Sequence, residues 1–175
     1  MKKLVLEDLK RVSVEDYKKQ PKNSFVIVLD NIRSMNNVGS AFRTCDAFAA
    51  QKLYLTGITA TPPHREITKT AIGAQNSVTW EYYEETAHLI SELKKEDFII
   101  VAIEQTNQSQ PLSTFSPEKD KKYAFILGNE VFGVSDEALE LIDLAIEIPQ
   151  FGTKHSLNIS VCCGIISWDY LSKVL

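Results

Sequence analysis

Short apolar runs and helix-period segments alternate along this chain almost without a break. SFVIVLD (24–30), KLYLT (52–56), FIIVAIE (98–104), YAFILG (123–128) and LAIEIP (144–149) have strand length and are rich in Val, Ile, Leu and Phe. Runs apolar at nearly every position suit strands covered on both faces. SVTWEYY (77–83) alternates in the manner of a further strand. Between these lie helical patterns: NVGSAFRTCDAF (37–48), with Val38, Ala41, Phe42, Cys45 and Phe48 on one side, and shorter ones near 64–72, 86–96 and 135–143. A last, largely apolar helix starts at Ser156 or Leu157, and the longest irregular segment is QTNQSQPLSTFSPEKDKK. Strand and helix in turn predict an α/β fold, a mostly parallel sheet flanked by helices.

A length of 175 residues, 44% of them hydrophobic and 24% charged, suits one domain with a substantial core. The start, MKKLVLEDLKR, holds a three-residue apolar run before Glu7, too short for a secretory signal. No run approaches the roughly 18 apolar residues of a membrane span. Cys45, Cys162 and Cys163 form no C-x-x-C pair, which points to reduced, packed thiols in a cytoplasmic protein. His64 and His88 lack metal-ligand spacing and a Ser or Cys partner, and His155 reads as a loop residue, so no metal or hydrolase chemistry is expected. Residues 1–22 carry seven Lys or Arg against four acids, a balance of +3 that leaves −7 for the rest of a chain whose total is −4. This basic N-terminal helical arm reads either as an RNA contact on an acidic body or as a solvated amphipathic helix.

In parallel sheets, ligands bind beyond the carboxyl ends of the strands, where loops enter helices. LDNIRSMNNVG, IEQTNQ, GNEVFG and IPQFGTKHSLN all follow buried strands and are expected along that one edge. Gly128 and Gly133 have the spacing of a phosphate loop, but Val134 stands where the lysine belongs, and an ATP-binding reading fails there. Three clusters remain. In the first, Asn36 or Asn37 caps a helix, Gly39 permits close packing, and Arg43 projects about one turn further on. In the second, Gly128 permits close backbone approach by a ligand, and Glu130 accepts hydrogen bonds from the pocket or from Arg43. In the third, Ser156 fits an N-cap, and Asn158 places an amide that needs partners in the first turn of an apolar helix. Taken singly, each cluster reads equally as ordinary capping and turn chemistry.

Taken together, the clusters resemble the three signature motifs of the SPOUT superfamily, specifically its SpoU/TrmH branch of RNA ribose 2′-O-methyltransferases. NNVGSAFRTCDAF is similar to motif 1 at Asn37, Gly39 and Arg43. ILGNEVFGVS is similar to motif 2 at Gly128, Asn129, Glu130 and Gly133. IEIPQFGTKHSLNISVC is similar to motif 3 at Ile148, Pro149, Gly152, Ser156, Leu157 and Asn158. The resemblance runs from Ser24 to the C-terminus, so residues 23–175 are expected to form the SPOUT domain. It implies a five- or six-stranded parallel sheet whose C-terminal part is tied in a deep trefoil knot, against the usual rule that chains do not thread loops.

The same resemblance implies S-adenosylmethionine held in the knot crevice by Gly128, Ile148 and Leu157, with Ile103 and Glu104 at the end of a neighbouring strand. It implies methyl transfer to a ribose 2′-hydroxyl of tRNA or rRNA, with Arg43, Asn37, Glu130, Ser156 and Asn158 as the catalytic positions. A guanidinium pKa above roughly 12 makes Arg43 a better clamp on a substrate phosphate than a base. The phosphate or a water then accepts the proton, Glu130 holds Arg43, Asn37 orients the ribose or Arg43, and Ser156 and Asn158 shape the pocket. A homodimer packed through the knots is also implied, and the residues themselves lead to no expectation of a metal or of membrane association. No sizeable N-terminal RNA-binding domain or long basic C-terminal extension is expected, which leaves the arm and the dimer surface as RNA contacts. The alternative is a non-catalytic RNA-binding or assembly module with the same fold, against which the five intact catalytic positions argue.

Overall fold

The computed structural model describes residues 1–9 and 11–175; Lys10 of the expected basic arm lies outside the described residues. Seven strands form one sheet: β1 (Asn23–Asp30), β2 (Ala50–Thr56), β3 (Trp80–Tyr83), β4 (Phe98–Ile103), β5 (Gln110–Pro111), β6 (Lys122–Leu127) and β7 (Leu144–Glu147). Their spatial order is β3-β2-β1-β6-β4-β7-β5, and every neighbouring pair is parallel. The sheet thus exceeds the expected five or six strands. The extra one is the two-residue edge strand β5, where Pro111 is tolerated because its missing N–H faces no further neighbour.

The helices are α1 (Val14–Lys19), α2 (Met35–Ala47), α3 (Arg65–Ala71), α4 (Ala74–Ser77), α5 (Thr86–Lys95), α6 (Asp136–Leu139) and α7 (Ile159–Val174). Among the described residues, no helix is long and apolar enough to cross a membrane. Alternation within the central strands divides the core in two. Phe25, Ile27 and Leu29 of β1 pack with α2, α3 and α7, while Val26 and Val28 pack with α5 and the Val134–Ala138 segment. Helix α7 is fixed by Tyr170, whose ring lies 5.1 Å from Phe25 and 5.7 Å from Phe125. Cys45 of α2 and Cys163 of α7 meet in the same layer; the neighbouring thiol and burial push the Cys45 pKa well up, as befits packing residues.

Three expected boundaries move. The segment 77–83 is strand only from Trp80, because Ala74–Ser77 forms a turn of helix first. The helix expected over 135–143 stops at Leu139. Asp143 breaks it by pairing with β4: its carboxylate accepts from Ile100 N at 2.7 Å and its N–H donates to Ile100 O at 2.9 Å, which turns the chain into β7. The last helix begins at Ile159 rather than at Ser156 or Leu157. In the arm, α1 spans six residues and docks through buried Tyr17, whose hydroxyl donates to Cys45 O at 3.2 Å.

Strand β7 enters the gap between β4 and β5, two strands consecutive along the chain, so Ile146 is flanked by Ile103 on one side and Gln110 on the other. Because all the strands run parallel, the loops after β1, β4, β6 and β7 lie at one edge of the sheet, and the insertion sets the β7 loop beside that of β4.

Candidate active site

The loop after β6 is built around its own side chains. Asn129 is buried; its Nδ2 donates to Asn31 O at 2.7 Å, and its Oδ1 accepts from Val131 N at 2.9 Å and Phe132 N at 3.1 Å. Its backbone exchanges two further hydrogen bonds with Gly133, which sits at φ 74°, a left-handed conformation that favours glycine. A Cβ on Gly128 would overlap the backbone of Gly133 and Val134. Close approach at position 128 is therefore demanded first by the returning loop, a different reason from the ligand contact expected there. Glu104 locks the same loop from β4, its Oε2 accepting from Val134 N at 3.1 Å. Fully buried Asp30, at the end of β1, accepts from Thr86 Oγ1 at 2.6 Å and from Ser135 N at 2.7 Å. Asp30 was given no role by sequence reasoning; an acid ending an apolar run was the available signal.

This loop presents Glu130 to the start of α2. Glu130 Oε2 accepts from Arg33 N at 3.0 Å, and Oε1 accepts from Ser34 N at 3.1 Å and Asn37 Nδ2 at 3.0 Å. A carboxylate on the free N–H groups of a helix start is favoured by hydrogen bonding and by the helix dipole. Burial works against the charged form, yet hydrogen bonds from Arg33, its own backbone, Asn37 and Ser34 outweigh it and hold the Glu130 carboxyl below its usual 4.5. The stability this adds is present above the ordinary carboxylate range and is lost as pH falls through the lowered value. Glu130→Gln is accordingly expected to be less stable than wild type at pH 7, with the gap closing on acidification, as read by urea midpoints from pH 7 to pH 3.

Two expected caps change hands. Ser34, not Asn36 or Asn37, caps α2, its Oγ accepting from Asn37 N at 3.3 Å. Asn158, not Ser156, caps α7: its Oδ1 accepts from Ser160 N at 2.9 Å and Ser160 Oγ at 2.6 Å. Asn158 is held there by Asn37, whose Oδ1 accepts from Asn158 Nδ2 at 3.2 Å. One hydrogen-bonded chain therefore runs Glu130–Asn37–Asn158–Ser160 and joins three segments far apart in sequence.

Beside this chain lies a crevice of about 820 Å³, walled by the loops after β4, β6 and β7. All five expected cofactor positions, Ile103, Glu104, Gly128, Ile148 and Leu157, line it, as do Glu130, Ser156 and Asn158. Its size falls in the range of about 300–1,000 Å³ common for small-molecule sites. Its walls combine aliphatic faces from Leu127, Ile146 and Ile148 with the polar edge at Glu130, Ser156 and Asn158. That mixture suits a small molecule with both apolar and polar faces. Cys162 also borders the crevice, and burial pushes its thiol up to about 11, so it stays protonated at neutral pH.

Arg43 is not in this crevice. It is exposed, makes no ion pair with Glu130, and lines a separate groove with Ser40, Lys69, Thr70 and Ser160. The expected Glu130–Arg43 contact is therefore corrected. Arg43 lies six residues beyond Asn37, about 9 Å along α2 and roughly 120° around it, whereas the Glu130 oxygens are engaged by Arg33 and Ser34 just before the helix and by Asn37 in its first turn.

These features match a known family. The SpoU rRNA Methylase family model matches residues 24–168. The tRNA (guanosine(18)-2′-O)-methyltransferase of Aquifex aeolicus is 33% identical over 97% of this chain and 78% of its own length. The 23S rRNA (guanosine-2′-O-)-methyltransferase RlmB of Neisseria meningitidis is 27% identical over 81% of this chain, which spans 55% of that relative. An AdoMet-bound rRNA methyltransferase from Sinorhizobium meliloti superposes with a TM-score of 0.80 at 25% identity, over 94% of this chain and 62% of the other. Its parallel sheet with flanking helices is the SPOUT methyltransferase fold, and the chain belongs to the SpoU rRNA methylase family.

Proposed function

We propose that this protein transfers the methyl group of S-adenosylmethionine to a ribose 2′-hydroxyl of tRNA or rRNA. The observation that carries this reading is the Glu130–Asn37–Asn158 chain beside the 820 Å³ crevice, which unites all three motif segments at one wall. S-adenosylmethionine supplies an activated methyl on a sulfonium centre. The chain's residues are left to align the attacking hydroxyl and to ease loss of its proton. In this reading, backbone at Gly128 and Ile148 and the Leu157 side chain hold the cofactor, with Ile103 closing the floor. Glu104 acts through the loop that it fixes. Asn37, set by Glu130 and Asn158, orients the ribose, and Ser156 shapes the mouth of the crevice. Arg43 binds a substrate phosphate, and that phosphate or a water takes the proton.

A threaded chain and a homodimer belong to the same proposal. Insertion of β7 between β4 and β5 supports a trefoil knot in the C-terminal half. Helix α7 exposes Val161 and Trp168, seven residues apart and therefore on one side, with Gly164 open between them and Leu175 exposed just past the helix end. This stripe supports a dimer formed through α7. Trp168→Glu is expected to convert a dimer to a monomer in sedimentation equilibrium; an unchanged mass would remove α7 from the interface.

The reading is tested by incubating the purified protein with S-adenosylmethionine and unmodified tRNA or rRNA, then analysing nucleosides by mass spectrometry. A 2′-O-methylated nucleoside is expected. Methylation on a base, or none on either RNA, would refute it.

A further inference from the structure

A groove of about 510 Å³ lies between α2 and α3 and is walled by Ser40, Arg43, Thr44, Lys69, Thr70 and Ser160. Helix packing creates it. Gly39 lets α2 approach so closely that a Cβ there would overlap Thr70 Oγ1 and Ile67 O, and Thr70 Oγ1 donates to Asn36 O at 3.0 Å. The next turn of α2 therefore brings Arg43 into the same groove as Lys69. Both cations are exposed, and among the described residues neither forms an ion pair and no acid lines the groove. On a chain of net charge −4, two cations in one groove with the hydroxyls of Ser40, Thr44, Thr70 and Ser160, over a floor that includes Ala47, Phe48 and Ile72, form a local seat for an anion. Ser160 links the two sites: it lines the groove, and its Oγ donates at 2.6 Å to Asn158, which lines the crevice.

We infer that this groove seats a backbone phosphate of the RNA, and that Lys69 is a substrate-positioning residue acting beside Arg43. The inference rests on the methyltransferase reading above and adds to it a residue outside all three motifs. Because the Ser160–Asn158 hydrogen bond joins the lining of the groove to that of the crevice, a phosphate held by Lys69 and Arg43 keeps its nucleotide next to the catalytic edge. A phosphate contact through lysine is a point-charge contact, so it contributes to affinity and to salt dependence and not to base choice.

The test compares wild type, Lys69→Ala and Lys69→Arg with unfractionated tRNA and with rRNA between 50 and 200 mM salt. Loss of one phosphate contact lowers the slope of log affinity against log salt by about 0.7–0.9, so wild type loses about threefold more affinity over that range than Lys69→Ala. Lys69→Ala is expected to raise KM for RNA with kcat and S-adenosylmethionine affinity unchanged, and Lys69→Arg to restore the slope. Identical slopes for wild type and Lys69→Ala, or a matching loss of cofactor binding, would overturn the inference. A Lys69-dependent slope in a protein that transfers no methyl group would instead overturn the enzymatic reading and leave the phosphate seat standing.

Discussion

Arg43→Ala is expected to lower the rate of methyl transfer at saturating RNA by on the order of 10²–10³-fold or more, while leaving S-adenosylmethionine affinity within about twofold; losing one preorganised charged donor at a reacting centre has a cost of that size. The separation of effects follows from placement. Arg43 lines the groove between α2 and α3, and the residues expected to hold the cofactor line the crevice on the other side of Ser160 and Asn158. The fold should not suffer, because the side chain is exposed and makes no hydrogen bond among the described residues. Single-turnover rates with saturating RNA, paired with cofactor calorimetry, provide the check. Equal loss of rate and cofactor affinity would show that Arg43 serves the crevice and not the RNA.

Gly128→Ala is expected to have the opposite pattern. The added methyl overlaps the backbone at Gly133 and Val134, so the whole loop after β6 must shift. That shift strains the Glu104–Val134 hydrogen bond and the paired Asn129–Gly133 backbone bonds. Overpacking of this kind costs about 1–3 kcal/mol, and each kcal/mol lowers Tm by about 2–4 °C in a chain of this size. Cofactor affinity should fall at least about tenfold, since 1.4 kcal/mol lost from binding is already that factor. Gly152→Ala is the matched control. It is also a motif glycine, but a Cβ there meets nothing within 4 Å, so binding and stability should stay near wild type. Equal damage from both substitutions would contradict the steric account of the β6 loop.

The sheet was legible because β1, β4 and β6 are covered on both faces, and apolar runs such as FIIVAI and YAFIL record that burial directly. Helix α2 was legible for a related reason: Val38, Ala41, Phe42 and Cys45 all face the core. The three motif clusters were legible as a set. Less visible were the partners that give each motif residue its role. Glu130 pairs with Asn37 across 93 residues, and Asn37 with Asn158 across 121, and no local pattern encodes which amide meets which carboxylate. That is why a Glu130–Arg43 pair was expected and a Glu130 clamp on the start of α2 was found. The caps misled in the same way. Ser156 and Asn158 are both good capping residues, and Asn158, which caps, is also the one bonded to Asn37, a neighbour only in three dimensions. Lys69 carries no local signature at all, because its significance comes from the packing of α3 against Gly39.

In the proposed reaction, the crevice lined by Gly128, Ile148 and Leu157 is the seat of the methyl donor. Titration calorimetry of wild type and Gly128→Ala with S-adenosylmethionine tests it most directly. Saturable binding of one molecule per chain to wild type, weakened at least about tenfold in Gly128→Ala, is the result this account predicts. No binding to wild type, or binding indifferent to Gly128→Ala, would contradict it.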